Sequence, residues 1–531
     1  MSKCIQRDTS ATKRTKPAFA ALVLALAVAT PAKAADWRMF GNGPRHDGYS
    51  DTETSISPQN VHSLTTKWTY SFTNYQKAHG LPARPNNIGQ PVVASGVNIG
   101  GLNKTLVYVG DDGGTFHAVD ANSPSPNGIL IWARQTGSVA TTCGASGIKS
   151  TAAIDRTANG GKGAIYVASN ARVYAWDLAT GATIPGWPDG GVELPNSDPK
   201  TGGTIFSGVT VFNGAVYVET SSAGCDVPPY HGSINIIDGA AGTLTKQWFT
   251  GTGNSTVPSI DGGAIWGPGG VSIDPDSDSP TLFTAIGNPV PLGATNAVGY
   301  YLSIFAARPD LSAIDWSWKP TNLGGDGDFG STPVPINPTA CPHQLVPVVR
   351  KGGILYVPEI SRTTPRSLYN VRAYSLAKAP ELSFSAVAFD PESQLLLVTV
   401  FDNGSPPTGP FGRGLNALRV GSNCALQFAW RTNSTPDGHD IVGPDTRLTS
   451  VTVANGVAYF AVGGGGAVAS TMPGVYAVAM QAGPGGITAG QTLWRSTNIK
   501  APVNNAPAVA NGRLFVGARD GKLRAYGLPT D

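Results

Sequence analysis

Apolar and polar positions alternate in short runs along most of this chain, and extended stretches at helical spacing are scarce. Such runs predict strands, and the Gly, Pro, Asn and Asp clusters between them predict tight turns. One pattern recurs with drift: a small or proline-containing start, an apolar strand, a turn, a Val-Tyr-Val-like strand, a third strand ending near Asp, and then Trp. Segments such as LVYVGDDGGTFHAVD, AIYVASNARVYAWD and LTSVTVANGVAYFAVG are copies of it. The closing tryptophans, Trp68, Trp132, Trp187, Trp248, Trp318, Trp430 and Trp494, recur every 55–70 residues, save for one interval of 112 that spans two periods with a Trp missing from the fifth copy. Modules of three or four strands that cannot bury both faces alone are satisfied by radial stacking. The pattern therefore predicts an all-β fold, an eight-bladed β-propeller of four-stranded antiparallel blades. The last copy has no Trp after it, whereas Lys67-Trp68-Thr69-Tyr70 has no strands before it. The N-terminal segment is thus expected to complete the final blade and close the ring, which removes exposed sheet edges.

Composition supports one large β body: 67 Gly, 42 Pro and only 13% charged residues among 531. No low-complexity linker divides the chain. The first residues carry Lys3, Arg7, Lys13, Arg14 and Lys16, followed by the apolar run Ala18–Ala29 and by Ala32-Lys33-Ala34. That is the layout of a secretory signal peptide, so residues 1–34 are expected to be removed and 35–531 to form a single domain. An apolar run of this length is too short to span a bilayer, so no membrane span is expected. Loss of the leader moves the formal balance from +3 to −2, which leaves no electrostatic case for binding nucleic acid or anionic membrane. The expected location is the periplasm or outside the cell. Cys143, Cys225, Cys341 and Cys424 would remain in an oxidising compartment, where one or two disulfides fit in any of three pairings. None of the cysteines sits in the Cys-x-x-Cys-His setting that attaches haem.

Three groups of residues carry a family resemblance: Asp36-Trp37-Arg38-Met39-Phe40-Gly41 with His46-Asp47-Gly48-Tyr49-Ser50, the period-closing tryptophans, and the final Gly521-Lys522-Leu523-Arg524-Ala525-Tyr526. Together they resemble the eight-bladed quinoprotein propellers that include the pyrroloquinoline quinone (PQQ) alcohol dehydrogenases, over nearly the whole mature chain. The resemblance implies PQQ, a flat quinone bearing carboxylates, and Ca²⁺ as cofactors. Trp266, in Gly263-Ala264-Ile265-Trp266, resembles the family's aromatic floor. Asn288, in Ile286-Gly287-Asn288-Pro289, matches its amide metal ligand, and Lys351 stands where the family places a cation against the quinone oxygens. Where the family has its aspartate base this chain reads Ala306-Ala307-Arg308-Pro309-Asp310, which makes Asp310 the nearest carboxylate. The glutamate metal ligand is replaced by a run without Glu, in which Asp226 is the oxygen donor; Glu219 lies on the preceding strand and is expected to face elsewhere. The run Cys225-Asp226-Val227-Pro228-Pro229-Tyr230-His231-Gly232 and the later Asp326-Gly327-Asp328-Phe329-Gly330-Ser331 also resemble secreted quinoprotein-like proteins whose activity sequence does not establish.

Two readings follow. One is an exported PQQ-dependent oxidoreductase that oxidises a small or polymeric alcohol and passes electrons to a separate acceptor such as a cytochrome. The other is a non-catalytic envelope propeller acting as a binding or scaffold module. His117 and His343 lack neighbours at metal-ligand spacing and read as surface or loop histidines. Gly463–Gly466 is not followed by the Lys-Ser/Thr of a phosphate loop. Access to any site would be set by rim loops such as Gly404–Gly412 and Pro436–Asp445.

Overall fold

The structure, a computed structural model, describes Met1 and residues 36–141, 144–197, 203–222, 226–275, 279–292, 299–321, 326–363, 366–376, 385–400, 411–441, 447–463 and 472–530. Ala34–Asp531 form one compact unit. The other unit, Met1–Lys33, carries the expected signal peptide, which lies outside the described residues apart from Met1. Among the described residues no helix is long and apolar enough to cross a membrane.

The fold is an eight-bladed β-propeller built of small antiparallel sheets. The first blade shows the plan, with strands Val92–Ile99, Leu102–Gly110, Thr115–Asp120 and Leu130–Gln135 paired in sequence order. The two central strands of a blade are buried on both faces, as in Ala164–Ser169, where every position is buried, because neighbouring blades cover them. The eighth blade is Ala508–Ala510, Arg513–Ala518 and Lys522–Gly527, with Thr65–Ser71 as its outer strand, so the N-terminal segment closes the ring as the sequence implied.

The recurring tryptophans lock each blade to the next. The indole Nε1 of Trp132 donates to Leu178 O at 2.9 Å, that of Trp187 to Gly239 O at 2.8 Å, and that of Trp494 to Leu64 O at 3.1 Å. The Trp132 and Trp187 rings lie on turns of the following blades that have no room for a side chain. At Gly181 (φ +68°) a Cβ would stand 2.7 Å from the Trp132 ring, and at Gly242 (φ +62°) it would stand 3.0 Å from that of Trp187. The fifth blade lacks its Trp and uses other devices. Cys341 of that blade is disulfide-bonded to Cys424, in the corresponding turn of the sixth blade, and the Tyr374 hydroxyl accepts from Leu426 N at 2.8 Å. The other three cysteines, Cys4, Cys143 and Cys225, lie outside the described residues.

The innermost segment of the fifth blade, Ser331-Thr332-Pro333-Val334-Pro335-Ile336, departs from regular strand. Its alternating prolines remove every second donor, and the remaining Val334 and Ile336 amides bond Pro347 O at 3.1 Å and Leu345 O at 2.8 Å. The hub is crossed by residues 36–50. Trp37 pairs with Val93, and Arg38 O, Pro44 O, Asp47 O and Gly48 O accept from Ile154, Ile273, Phe389 and Val453 of the second, fourth, sixth and seventh blades. These contacts satisfy the inner edges of the blades, where water is excluded.

Candidate functional site

Strand direction decides which residues can meet. In the fourth blade Thr281–Ala285 runs toward Asn288, and its partner Ile304–Ala307 runs back, pairing Ala285 with Ile304 and Leu282 with Ala307. Asn288 therefore sits at one end of the sheet, and the turn holding Arg308 and Asp310 sits at the other. On the Asn288 face the second-to-third-strand loops of the third, fourth and fifth blades emerge, carrying Asp226, Asn288 and Lys351. The connections into the fourth and fifth blades reach the same face and carry Trp266 and the pair Asp326 and Asp328.

Four of these segments converge. The Trp266 indole Nε1 donates to Asp328 Oδ2 at 2.9 Å, and Asn288 Nδ2 donates to Asp326 Oδ1 at 2.7 Å. Lys351 Nζ lies 2.8 Å from Asp326 Oδ1, 2.7 Å from Asp328 Oδ1, and 5.0 Å from the centre of the Trp266 ring. The backbone joins in, with Lys351 N donating to Asp328 O at 3.1 Å. Lys351 reaches this position from a turn whose Gly352 and Gly353 have φ of +85° and +73°, a conformation that side chains disfavour. Burial pushes the Asp328 carboxyl up to about 6, against the pull of Lys351, and Asp326 adds to the rise. Burial alone would lower the Lys351 ammonium; the two carboxylates outweigh it and hold the group above its ordinary value.

Trp266, Asn288 and Lys351 are thus brought together, but the other two expected site residues are placed differently. Asp226 Oδ1 accepts from the Tyr230 hydroxyl at 2.6 Å, while Tyr230 N donates to Asp261. Asp310 is exposed on the far end of its blade, where its carboxylate accepts from Ser312 N at 3.0 Å and is held below the usual carboxylate range by Ser312. Glu219 does face elsewhere: it is wholly buried, accepts from the Ser207 hydroxyl at 2.9 Å, and is pushed up to about 8 by burial. Asp326 and Asp328 were the carboxylates that sequence reasoning did not assign. Their signal was position, because the Asp-Gly-Asp run precedes the innermost segment of its blade as the Trp266 run does. His117 is not at the surface; it is fully buried, with Nε2 3.1 Å from Asp111 and Nδ1 3.2 Å from the Tyr70 hydroxyl.

Trp266 also borders a cavity of about 220 Å³ near the axis, which Phe40, Phe206, Lys149, Arg447 and Arg519 help to line. Lys149 Nζ lies 6.0 Å from the Phe206 ring centre. The Trp266 ring gives the recess a flat aromatic wall shared with Lys149, Arg447 and Arg519, while the Lys351 ammonium and the Asp328 carboxylate meet at Trp266 outside its lining. The donor set does not fit a calcium cage, which takes six to eight oxygens. Asn288 turns an N–H toward Asp326, Asp226 is bonded to Tyr230, and the Lys351 ammonium stands between the two aspartates. Among the described residues no group of three or more His, Cys, Asp or Glu is gathered for a metal ion.

Residues 37–253 match the family described as PQQ glucose/ethanol/alcohol dehydrogenase, β-propeller domain. No curated protein matches the chain. Among solved structures it is similar to a europium-containing methanol dehydrogenase, at 16% identity over 93% of this chain and 98% of that one, with a TM-score of 0.64. It is similar also to the quinohemoprotein alcohol dehydrogenase of Comamonas testosteroni, at 16% identity over 93% and 80% of the two chains, with a TM-score of 0.59. A quinohemoprotein alcohol dehydrogenase of Pseudomonas putida HK5 matches with the same identity and coverage at a TM-score of 0.60. At this identity the structural likeness speaks for the fold. Together the findings show an eight-bladed β-propeller whose residues 37–253 are similar to the β-propeller domain of PQQ glucose/ethanol/alcohol dehydrogenases.

Proposed function

We propose that this chain is an exported PQQ-dependent oxidoreductase that oxidises an alcohol and passes the electrons to a separate acceptor. The observation that carries the reading is the convergence of Trp266, Asp328 and Lys351 beside a cavity lined with cations. The residues present fit such a cofactor: the indole offers a flat wall, and Lys149, Arg447 and Arg519 offer positive charge to its carboxylates. When bound, PQQ supplies a two-electron quinone acceptor.

The rest is done by the chain. Asp328 is the proton acceptor, because a carboxyl held at about 6 is ionised at neutral pH and still basic enough to take a hydroxyl proton. Trp266 orients it by donating to Oδ2, which leaves Oδ1 on the Lys351 side. Lys351 places a fixed positive charge at the ring, where negative charge develops on the acceptor. Burial of the cluster excludes water and strengthens each of these interactions. Asp310, exposed at the other end of the blade, has no part in this account.

The reading is tested by reconstituting the leaderless protein with PQQ and screening primary alcohols with an artificial electron acceptor. Turnover that falls at least a hundredfold in Asp328→Asn, with cofactor still bound, supports it. Full turnover in Asp328→Asn, or none with any alcohol in a protein that binds the cofactor, contradicts it.

A further inference from the structure

Calcium was expected here from the resemblance, yet the centre of the cluster is filled by a side chain. We infer that the Lys351 ammonium takes the place of a metal ion in this site, and that the site works as a metal-independent quinone pocket. The second half of this statement rests on the reading of the pocket given above; the first stands on geometry alone.

An ammonium has three N–H donors and one positive charge. It donates to Asp326 Oδ1 at 2.8 Å and is ion-paired with Asp328 Oδ1 at 2.7 Å, and the Trp266 ring centre lies 5.0 Å away. The Lys351 and Asp328 side chains are each 6% exposed, so that ion pair is shielded from water, while Asp326 is 26% exposed. A divalent ion bound by the same oxygens would stand within a few ångström of Nζ, and like charges at that distance in a buried setting repel strongly. The amide is set against a metal too. Beside the anionic oxygen of Asp326, Asn288 must present Nδ2, which turns Oδ1 away from that carboxylate. The remaining expected ligand, Asp226, accepts a 2.6 Å bond from the Tyr230 hydroxyl. Finally, the turn that carries Lys351 has two consecutive glycines at positive φ and ties Lys351 N to Asp328 O. The ammonium is therefore held at the cluster by backbone as well as by charge.

The consequence is a prediction about metal affinity that needs neither quinone nor substrate. Terbium, an oxygen-seeking stand-in for calcium, is titrated into the leaderless protein while its luminescence, sensitised by nearby tryptophan, is followed in the presence and absence of competing Ca²⁺. The wild-type protein is expected to show no saturable, calcium-competed binding at micromolar terbium. Lys351→Gln, which removes the charge and keeps much of the length, opens the space between the two aspartates and is expected to bind at least tenfold more tightly. Adding Asp326→Asn to that variant is expected to abolish the gain. Saturable micromolar binding by the wild type, with no strengthening in Lys351→Gln, overturns the inference. Should Lys351→Gln fail to fold, the wild-type arm decides, since tight calcium-competed binding overturns the inference and its absence supports it. PQQ binding by the wild type supplies the second readout: it should be unchanged by a chelator such as EDTA, and loss of binding on chelation also overturns the inference. Failure to bind PQQ under any condition contradicts the functional reading while leaving the terbium result to judge the role of Lys351.

Discussion

Glu219 offers the most quantitative test of the packing around the hub. Its carboxyl ends the second strand of the third blade, wholly buried, with Oε2 bonded by Ser207 and closed in by Gly270, where a Cβ would come within 2.1 Å of Oε2. Burial raises it from an ordinary 4.5 to about 8, so the folded protein keeps a proton that the unfolded chain has lost over most of that interval. A raised folded value means that the associated stability is present below 4.5 and is lost as pH climbs through the interval to about 8. The slope is about 1.4 kcal/mol per pH unit, or roughly 5 kcal/mol across the whole span. Glu219→Gln keeps the shape and an acceptor for Ser207 but cannot titrate. Urea unfolding of both proteins at a series of pH values should give a stability difference that moves in favour of the variant by about 1.4 kcal/mol for each unit. Comparing the two proteins cancels other buried acids such as Asp47 and Asp112, which titrate at about 6 and are common to both. A difference that stays constant with pH would refute the burial argument for this carboxyl.

Three further predictions follow from the geometry. Turnover of the reconstituted protein should rise with pH through about 6 and level off above it, because Asp328 must be ionised to accept a proton; a profile flat through that value contradicts the assignment of the base. Asp310→Asn should leave turnover unchanged and shift stability by less than about 0.5 kcal/mol, since it alters an exposed turn at the far end of the blade; a large loss of kcat places Asp310 in the chemistry after all. Cys341→Ser should lower stability by about 2–5 kcal/mol in chemical denaturation, because it opens a loop of 83 residues at the one blade junction without a docking tryptophan. Little or no change would mean that Tyr374 and its neighbours suffice there.

The blade repeat was legible because each copy must present the same Trp to the next, and that constraint leaves a period in the sequence. Its one gap was legible as well, but its remedy was not: the Cys341–Cys424 pairing depends on two turns brought together only by the ring. The innermost segment of the fifth blade keeps its place without regular strand pairing, since Pro333 and Pro335 cannot donate. The path of residues 36–50 across the hub was hidden for a similar reason, as its partners lie in blades up to the seventh. At the site, Trp266, Asn288 and Lys351 could be picked out because their segments resemble the family's motifs, and the structure brings all three to one face. The carboxylate was sought by closeness along the chain to a strand, which pointed to Asp310; pairing of Leu282 with Ala307 sends that turn to the opposite face. Asp328 is nearer in space because it precedes a blade rather than follows a strand. His117 shows the same limit: Asp111 is near it in the chain, but Tyr70, Phe72 and Tyr75, which cover its ring, come from the N-terminal strand and from the helix Phe72–Ala78 that follows it.

The central claim is that the Trp266 recess holds a quinone. It is tested most directly by titrating the protein without residues 1–34 with PQQ while following quinone absorbance and tryptophan fluorescence, with Trp266→Ala in parallel. The account predicts saturable quenching that persists in EDTA and is lost in Trp266→Ala. Absence of saturable binding with excess cofactor, or equal binding by Trp266→Ala, would contradict it.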